Sequence, residues 1–112
     1  VIAARHAVAI DERRAAFAPT LWSNVGAFNV QGAPPRVIQA WFPGDHGGVG
    51  GSDVSRGLSN CSLYWVLEGA EHTGLALDRD PGSVISAALA NIDPLHARLS
   101  GKGSLLLGLA GK

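Results

Sequence analysis

Residues 44–53 read GDHGGVGGSD, a single histidine, His46, set among five glycines at positions 44, 47, 48, 50 and 51. An imidazole titrates near pH ~6.5, so a histidine held in a loop can take a proton and return it. Glycines Gly44, Gly47, Gly48, Gly50 and Gly51 lack a Cβ, which permits positive φ and lets backbone and ligand come close. Spacing alone leaves two readings open for His46, a general base or a turn histidine. Other chemistries fit less well. GDHGGVGG is neither a phosphate-cradling G-x-x-x-x-G-K-[ST] nor a G-x-G-x-x-G opening a helix directly after a strand. Asp45 and Asp53 are near in sequence, but His6, His72 and His96 are scattered and no H-E-x-x-H occurs, so no metal and no cofactor is expected. The nearest approach to a nucleophile elbow is DVSRG at 53–57. It has aspartate for the first glycine, follows the histidine and has no strand before it, so Ser55 reads as a decoy.

The elements that must position His46 are legible in outline. RVIQAWF, bounded by Pro35 and Pro43, is β-branched and aromatic and predicts a strand. Its nearly continuous apolar character suits a strand covered on both faces. LSNCSLYWVLEGAEHTG carries apolar residues at helical spacing. Ser59 or Asn60 is the expected N-cap, Gly74 the left-handed terminator and His72 a solvated or capping residue. The alanine- and arginine-rich start predicts a helix from Ala3 to Arg14, closed by Pro19. His6 and Asp11, five apart, would not share a face of it. Residues 20–35 are loop chemistry, Asp80-Pro81-Gly82 marks a turn, and SVISAALAN predicts one or two helical turns. The expected order is helix, long loop, strand, glycine loop, helix, tail.

The chain has 112 residues, with 9 Lys and Arg against 9 Asp and Glu. That balance gives no basic footprint for nucleic acid. Cys61 is the single cysteine, which excludes a disulfide scaffold and reads as a buried, inert thiol. No secretory leader is visible, and no run approaches the ~20 apolar residues of a membrane span, the LLLGLAG near the end included. The chain starts at Val1, inside what reads as a larger domain.

Three ordered blocks, RHAVAIDERRAAFAPTLW, QAWFPGDHGGVGGSD and GLSNCSLYWVLEGA, resemble the DUF2235 proteins. These are α/β-hydrolase-like domains that include the type VI secretion phospholipase effectors of the Tle1 type, and the likeness runs over residues 5–78. It implies an α/β fold, the C-terminal portion of a doubly wound parallel sheet. Residues 1–112 would form a single partial domain with a weakly structured tail at 79–112. It implies that His46 is the catalytic histidine, shaped by the glycine loop, with the nucleophile in an upstream G-x-S-x-G elbow and the acid also upstream. Asp11 is then structural, ending its helix with Arg13 or Arg14, and Asp45 is no partner for the ring. The commoner family pattern is H-S-D-V-G-G-G; here Gly47 and Gly48 replace the serine and aspartate. The implied function is part of a bacterial serine hydrolase acting on a small-molecule ester or a lipid, without a cofactor and inactive as this chain alone. Its partners would be the rest of the parent domain and, peripherally, a membrane. The site would be the cytoplasm, or beyond it by signal-less type VI export. The alternatives are a non-catalytic interaction module on a degenerate hydrolase scaffold and an unrelated glycine-loop nucleotide binder.

Overall fold

A computed structural model describes residues 3–91. The expected tail beyond 91, with His96 and LLLGLAG, lies outside the described residues. Strand β1, Ala4–Ala9, pairs in parallel with β2, Val37–Phe42, from Ala4 opposite Val37 to Ala9 opposite Phe42. The expected helix at 3–14 is therefore wrong. Alanine and arginine favour helix only by tenths of a kcal/mol per residue, and tertiary pairing overrides that preference. The strand at RVIQAWF is correct, but it does not stand alone.

Alternation sorts the side chains of the pair. Arg5, Ala7 and Ala9 share a face with Ile38, Ala40 and Phe42; Ala4, His6 and Val8 share the other with Val37, Gln39 and Trp41. Helix α2, Gly57–His72, covers the first face. Trp65 packs on Ala40 and Phe42 there, with Ala7, Ile38 and Val49 around them; the Phe42 and Trp65 rings are 5.3 Å apart and tilted 53°. Arg5 lies along this helix. Its guanidinium donates to the Trp65 carbonyl at 2.8 Å and to Glu68 at 3.1 Å, and it sits 5.0 Å over the Trp65 ring. Position 69 is glycine because a Cβ there would stand 2.6 Å from the Arg5 stem.

Irregular chain covers the second face. The Trp22 amide donates to Gln39 Oε1 at 3.0 Å, Gln39 Nε2 donates to the Trp22 carbonyl at 2.7 Å, and the His6 ring lies 4.6 Å from that of Trp22. Covering on both faces thus holds for β2, with loop rather than helix on one side. The Ala4 and Ile10 amides donate into β2, so those of Arg5, Ala7 and Ala9 point to the opposite edge of β1. Among the described residues no strand lies on that edge.

Helix α2 begins at Gly57 after Arg56, which makes no side-chain cap. Ser59 and Asn60 are not the N-cap; they are buried inside the first turn. Asn60 Nδ2 reaches the Asn91 carbonyl at 2.7 Å, and Ser62 Oγ reaches that of Val49 at 2.7 Å. Gly74 has φ of 105° just past the helix, as its position predicts. His72 is exposed in the last turn. Cys61 is buried, its thiol bonding to the Gly57 carbonyl at 3.2 Å. After the turn at 81–82, α3 spans Val84–Ala90, with Ser83 Oγ accepting from the Ser86 amide at 3.1 Å.

Asn29 closes the outer edge of β2 where the strand begins. Its Nδ2 donates to the Val37 carbonyl at 2.9 Å, while Oδ1 accepts from the Arg36 and Val37 amides, each at 2.9 Å. Val37 is 5% exposed, so water does not readily replace these bonds. Asn29→Ala is expected to destabilise by about 1–3 kcal/mol, read as a lower urea midpoint, with Asn29→Asp falling between. An unchanged midpoint in Asn29→Ala would show that the side chain does not hold the strand.

Candidate active site

Parallel strands bring their carboxyl ends to the same side, and both chains turn there. The Ile10 amide donates to the Phe42 carbonyl at 3.0 Å and the Asp11 amide to that of Gly44 at 3.1 Å; the Gly44 amide returns a bond to Asp11 Oδ2 at 2.8 Å. Gly44 has φ of 116°, a conformation that side chains with a Cβ rarely adopt. It turns the chain into a short helix, α1, His46–Gly50, where the sequence predicted only loop. Asp45 is its N-cap, Oδ1 accepting from the Gly48 amide at 2.9 Å, so this carboxylate is engaged with backbone. Gly51, at φ 95°, ends the helix.

The remaining glycines differ in what surrounds them. Gly47 and Gly48 are buried. A Cβ at 47 would meet Ser52 Oγ at 2.6 Å and Asp53 Oδ1 at 2.8 Å; one at 48 would meet Asp45 Oδ1 at 3.3 Å. Gly50 has open space. Two glycines thus turn the chain and two let it pack on itself.

His46 follows the end of β2 by four residues, is the first residue of α1, and is exposed. Its ring lies 5.0 Å from that of Phe17, tilted 51°. Its amide donates to Glu12 Oε2 at 3.2 Å. Glu12 in turn holds Arg14, whose Nε donates to Oε1 at 2.8 Å and whose Nη2 donates to Oε2 at 3.3 Å. The Glu12 side chain is 1% exposed. The Arg14 guanidinium, with help from the His46 amide and against the cost of desolvation, holds the Glu12 carboxyl below the ordinary glutamate range.

Asp11 was expected to end a helix with Arg13 or Arg14. Instead it stands just beyond β1 and braces the loop that carries His46, while Glu12 takes Arg14. Asp11 is exposed, with Oδ2 on the Gly44 amide and no bond to Oδ1 among the described residues. Glu12 and Phe17 are site residues that the sequence reading missed. The β-branched Val8 and Ile10 directly before Asp11-Glu12 were the available signal, a strand end followed by carboxylates. Ser55 is exposed in the irregular segment between α1 and α2, with no strand leading into it. Among the described residues no three His, Cys, Asp or Glu gather as metal ligands. A cavity of about 850 Å³ opens at the opposite, amino-terminal ends of the strands, between Ala3, Arg5, Pro34, Arg36, Val66 and His72. No helix among the described residues is long and apolar enough to cross a membrane.

The depressed Glu12 pKa fixes the sign of an acid dependence. Its stabilisation is full above the ordinary glutamate pKa, about 4.3, and is lost as pH falls through the lowered folded value. Glu12→Gln is expected to unfold more readily than the wild type at pH 7, with the gap closing in acid. A gap that stays constant from pH 7 to pH 3 would show that the ion pair does not carry it.

The family model described as the type VI secretion system phospholipase effector Tle1-like catalytic domain matches residues 1–69. The uncharacterized protein YEL023C of Saccharomyces cerevisiae is 38% identical over 55 residues, which take in 45% of this chain and 8% of that protein. The chain thus spans a small part of the curated relative that it matches. No solved structure matches significantly.

Proposed function

The chain belongs to the family of type VI secretion phospholipase effector Tle1-like catalytic domains, and on that premise we propose that it supplies the general base of a serine hydrolase acting on ester bonds in lipids. The observation that carries the reading is the position of His46: exposed, and just beyond the carboxyl end of a parallel strand, where open α/β sheets place their reacting groups. In this chemistry a serine Oγ attacks the acyl carbon as the imidazole takes its proton. The ester C–O bond then breaks, the imidazolium protonates the leaving alkoxide, and water resolves the acyl-enzyme by the same exchange. The serine would come from an elbow elsewhere in the parent protein, which would make this chain inactive alone.

We assign the orienting acid to Asp11. Glu12 is committed to Arg14 and to backbone, whereas Asp11 keeps Oδ1 open at the end of the neighbouring strand. This revises the expectation that the acid lies upstream. The uncovered edge of β1 supports the rest of the proposal, because further strands joining there would make these residues the last part of a doubly wound sheet. Phospholipid would be the substrate class, with peripheral contact at a membrane, and type VI export would be the route.

In the full-length protein, His46→Ala is expected to cut hydrolysis of short acyl esters by about 10³-fold or more, and Asp11→Asn by about 10²–10⁴-fold. Wild-type turnover in His46→Ala would reject the histidine's role. Loss in His46→Ala with wild-type turnover in Asp11→Asn would return the acid to upstream sequence. A second reading, a non-catalytic interaction module, is favoured by Gly47 and Gly48 standing where the family pattern has serine and aspartate. It expects no ester turnover from the wild-type protein at any acyl length.

A further inference from the structure

Three side chains, Glu12, Arg14 and Phe17, close a circuit on His46, and the reaction above does not account for it. Glu12 accepts from the His46 amide at 3.2 Å and holds Arg14 through two bonds. The Arg14 guanidinium carbon lies 4.3 Å over the Phe17 ring, and that ring lies 5.0 Å from the imidazole of His46. We propose that Glu12, Arg14 and Phe17 are positioning residues that hold His46 by both its backbone and its ring. The inference rests on the reading of His46 as the general base.

An exposed histidine lacks packing that would hold its ring. Its imidazole turns about two side-chain bonds in water, and a base reacts efficiently only in a narrow range of geometries; a misplacement of ~1 Å can cost about 10²-fold. The brace supplies both restraints. Glu12 fixes the first amide of α1, so the Cα of His46 is set relative to β1. Phe17 offers a tilted aromatic surface within the range that rings favour, about 4.5–7 Å between centroids, which limits ring rotation. Phe17 is itself 44% exposed and would swing freely without a partner. Arg14 is that partner, stacked on it as a cation on an aromatic face. Arg14 is in turn fixed by Glu12 through two charge-assisted bonds, at 2.8 and 3.3 Å. One carboxylate thus anchors both restraints.

The Ala15–Phe17 turn gives the circuit its reach. It is a single 3-10 turn, with the Phe17 amide donating to the Arg14 carbonyl at 3.0 Å. The turn brings the Phe17 ring to that of His46, and none of its three residues is buried. Core packing therefore does not account for Phe17, which leaves its contact with His46 to explain its place.

The test is steady-state hydrolysis of short acyl esters by the full-length protein, with His46→Ala as reference. Phe17→Leu is expected to lower kcat about 10-fold or more while KM changes less than about twofold, and Phe17→Tyr to restore most of kcat. Glu12→Gln should lower kcat in the same sense, and Glu12→Gln with Phe17→Leu should cost little more than the worse single change, because the two act through one circuit. Phe17 is exposed, so Phe17→Leu should keep the wild-type unfolding midpoint. Wild-type kcat in Phe17→Leu, a change confined to KM, or failure of Phe17→Tyr to rescue would overturn the inference while leaving His46 as base, provided His46→Ala is inactive. Activity in His46→Ala would overturn the underlying reading and the inference with it.

Discussion

Parallel pairing of two short strands sets where Asp11, Glu12 and His46 emerge. Parallel strands put their carboxyl ends side by side, so residues more than thirty positions apart in sequence emerge at one place. Here the pairing continues past the last ladder residues through Ile10–Phe42 and Asp11–Gly44. The two exits are therefore held against each other before either chain turns away. Asp11 and Glu12 leave from one and His46 from the other. If β1 were the helix that its composition favours, these carboxylates would be spread around a helical surface with no fixed relation to His46.

The faces of the sheet explain why the pair has this register. Small alanines at 7 and 40 let α2 approach closely, and Trp65 fills the space against Phe42. Arg5 threads between strand and helix, where the missing side chain of Gly69 leaves room for its stem. On the opposite face Gln39 binds both the amide and the carbonyl of Trp22, which pins the long loop without regular structure. A register slip by one residue would exchange these two faces, putting Arg5 and the alanines against the loop and His6 against α2.

Charge is used locally and in opposite ways at the two ends of the sheet. At the amino-terminal end Arg5 meets Glu68 across the strand–helix seam. At the carboxyl end Glu12 meets Arg14 only two residues on, and its work is directed to the start of α1. Asp45 caps that helix from its own chain while Glu12 reaches it from the neighbouring strand. Two carboxylates thus serve the first amides of a five-residue helix, which is too short to hold itself together.

Some of this was legible from residues alone. The apolar, β-branched run before Pro43 could hardly be anything but a strand, and the spacing from Leu63 to Ala70 with Gly74 beyond it wrote a helix and its end. The three ordered blocks carried the family, and His46 stood out because glycines surround it. What the sequence could not show was anything that depended on a distant partner. Ala4–Ala9 is a strand because β2 offers a ladder, and local propensity pointed the other way. Ser59 and Asn60 were reasonable caps, but both lie inside the helix, Asn60 bonded to the distant Asn91 carbonyl and Ser59 to that of Arg56. The glycine run became a helix once Asp45 and Glu12 accepted bonds from its first amides. The chemistry-bearing residue types were set by the sequence; which of them meet was decided by the pairing, because hydrogen bonds across a sheet join positions that local pattern cannot relate.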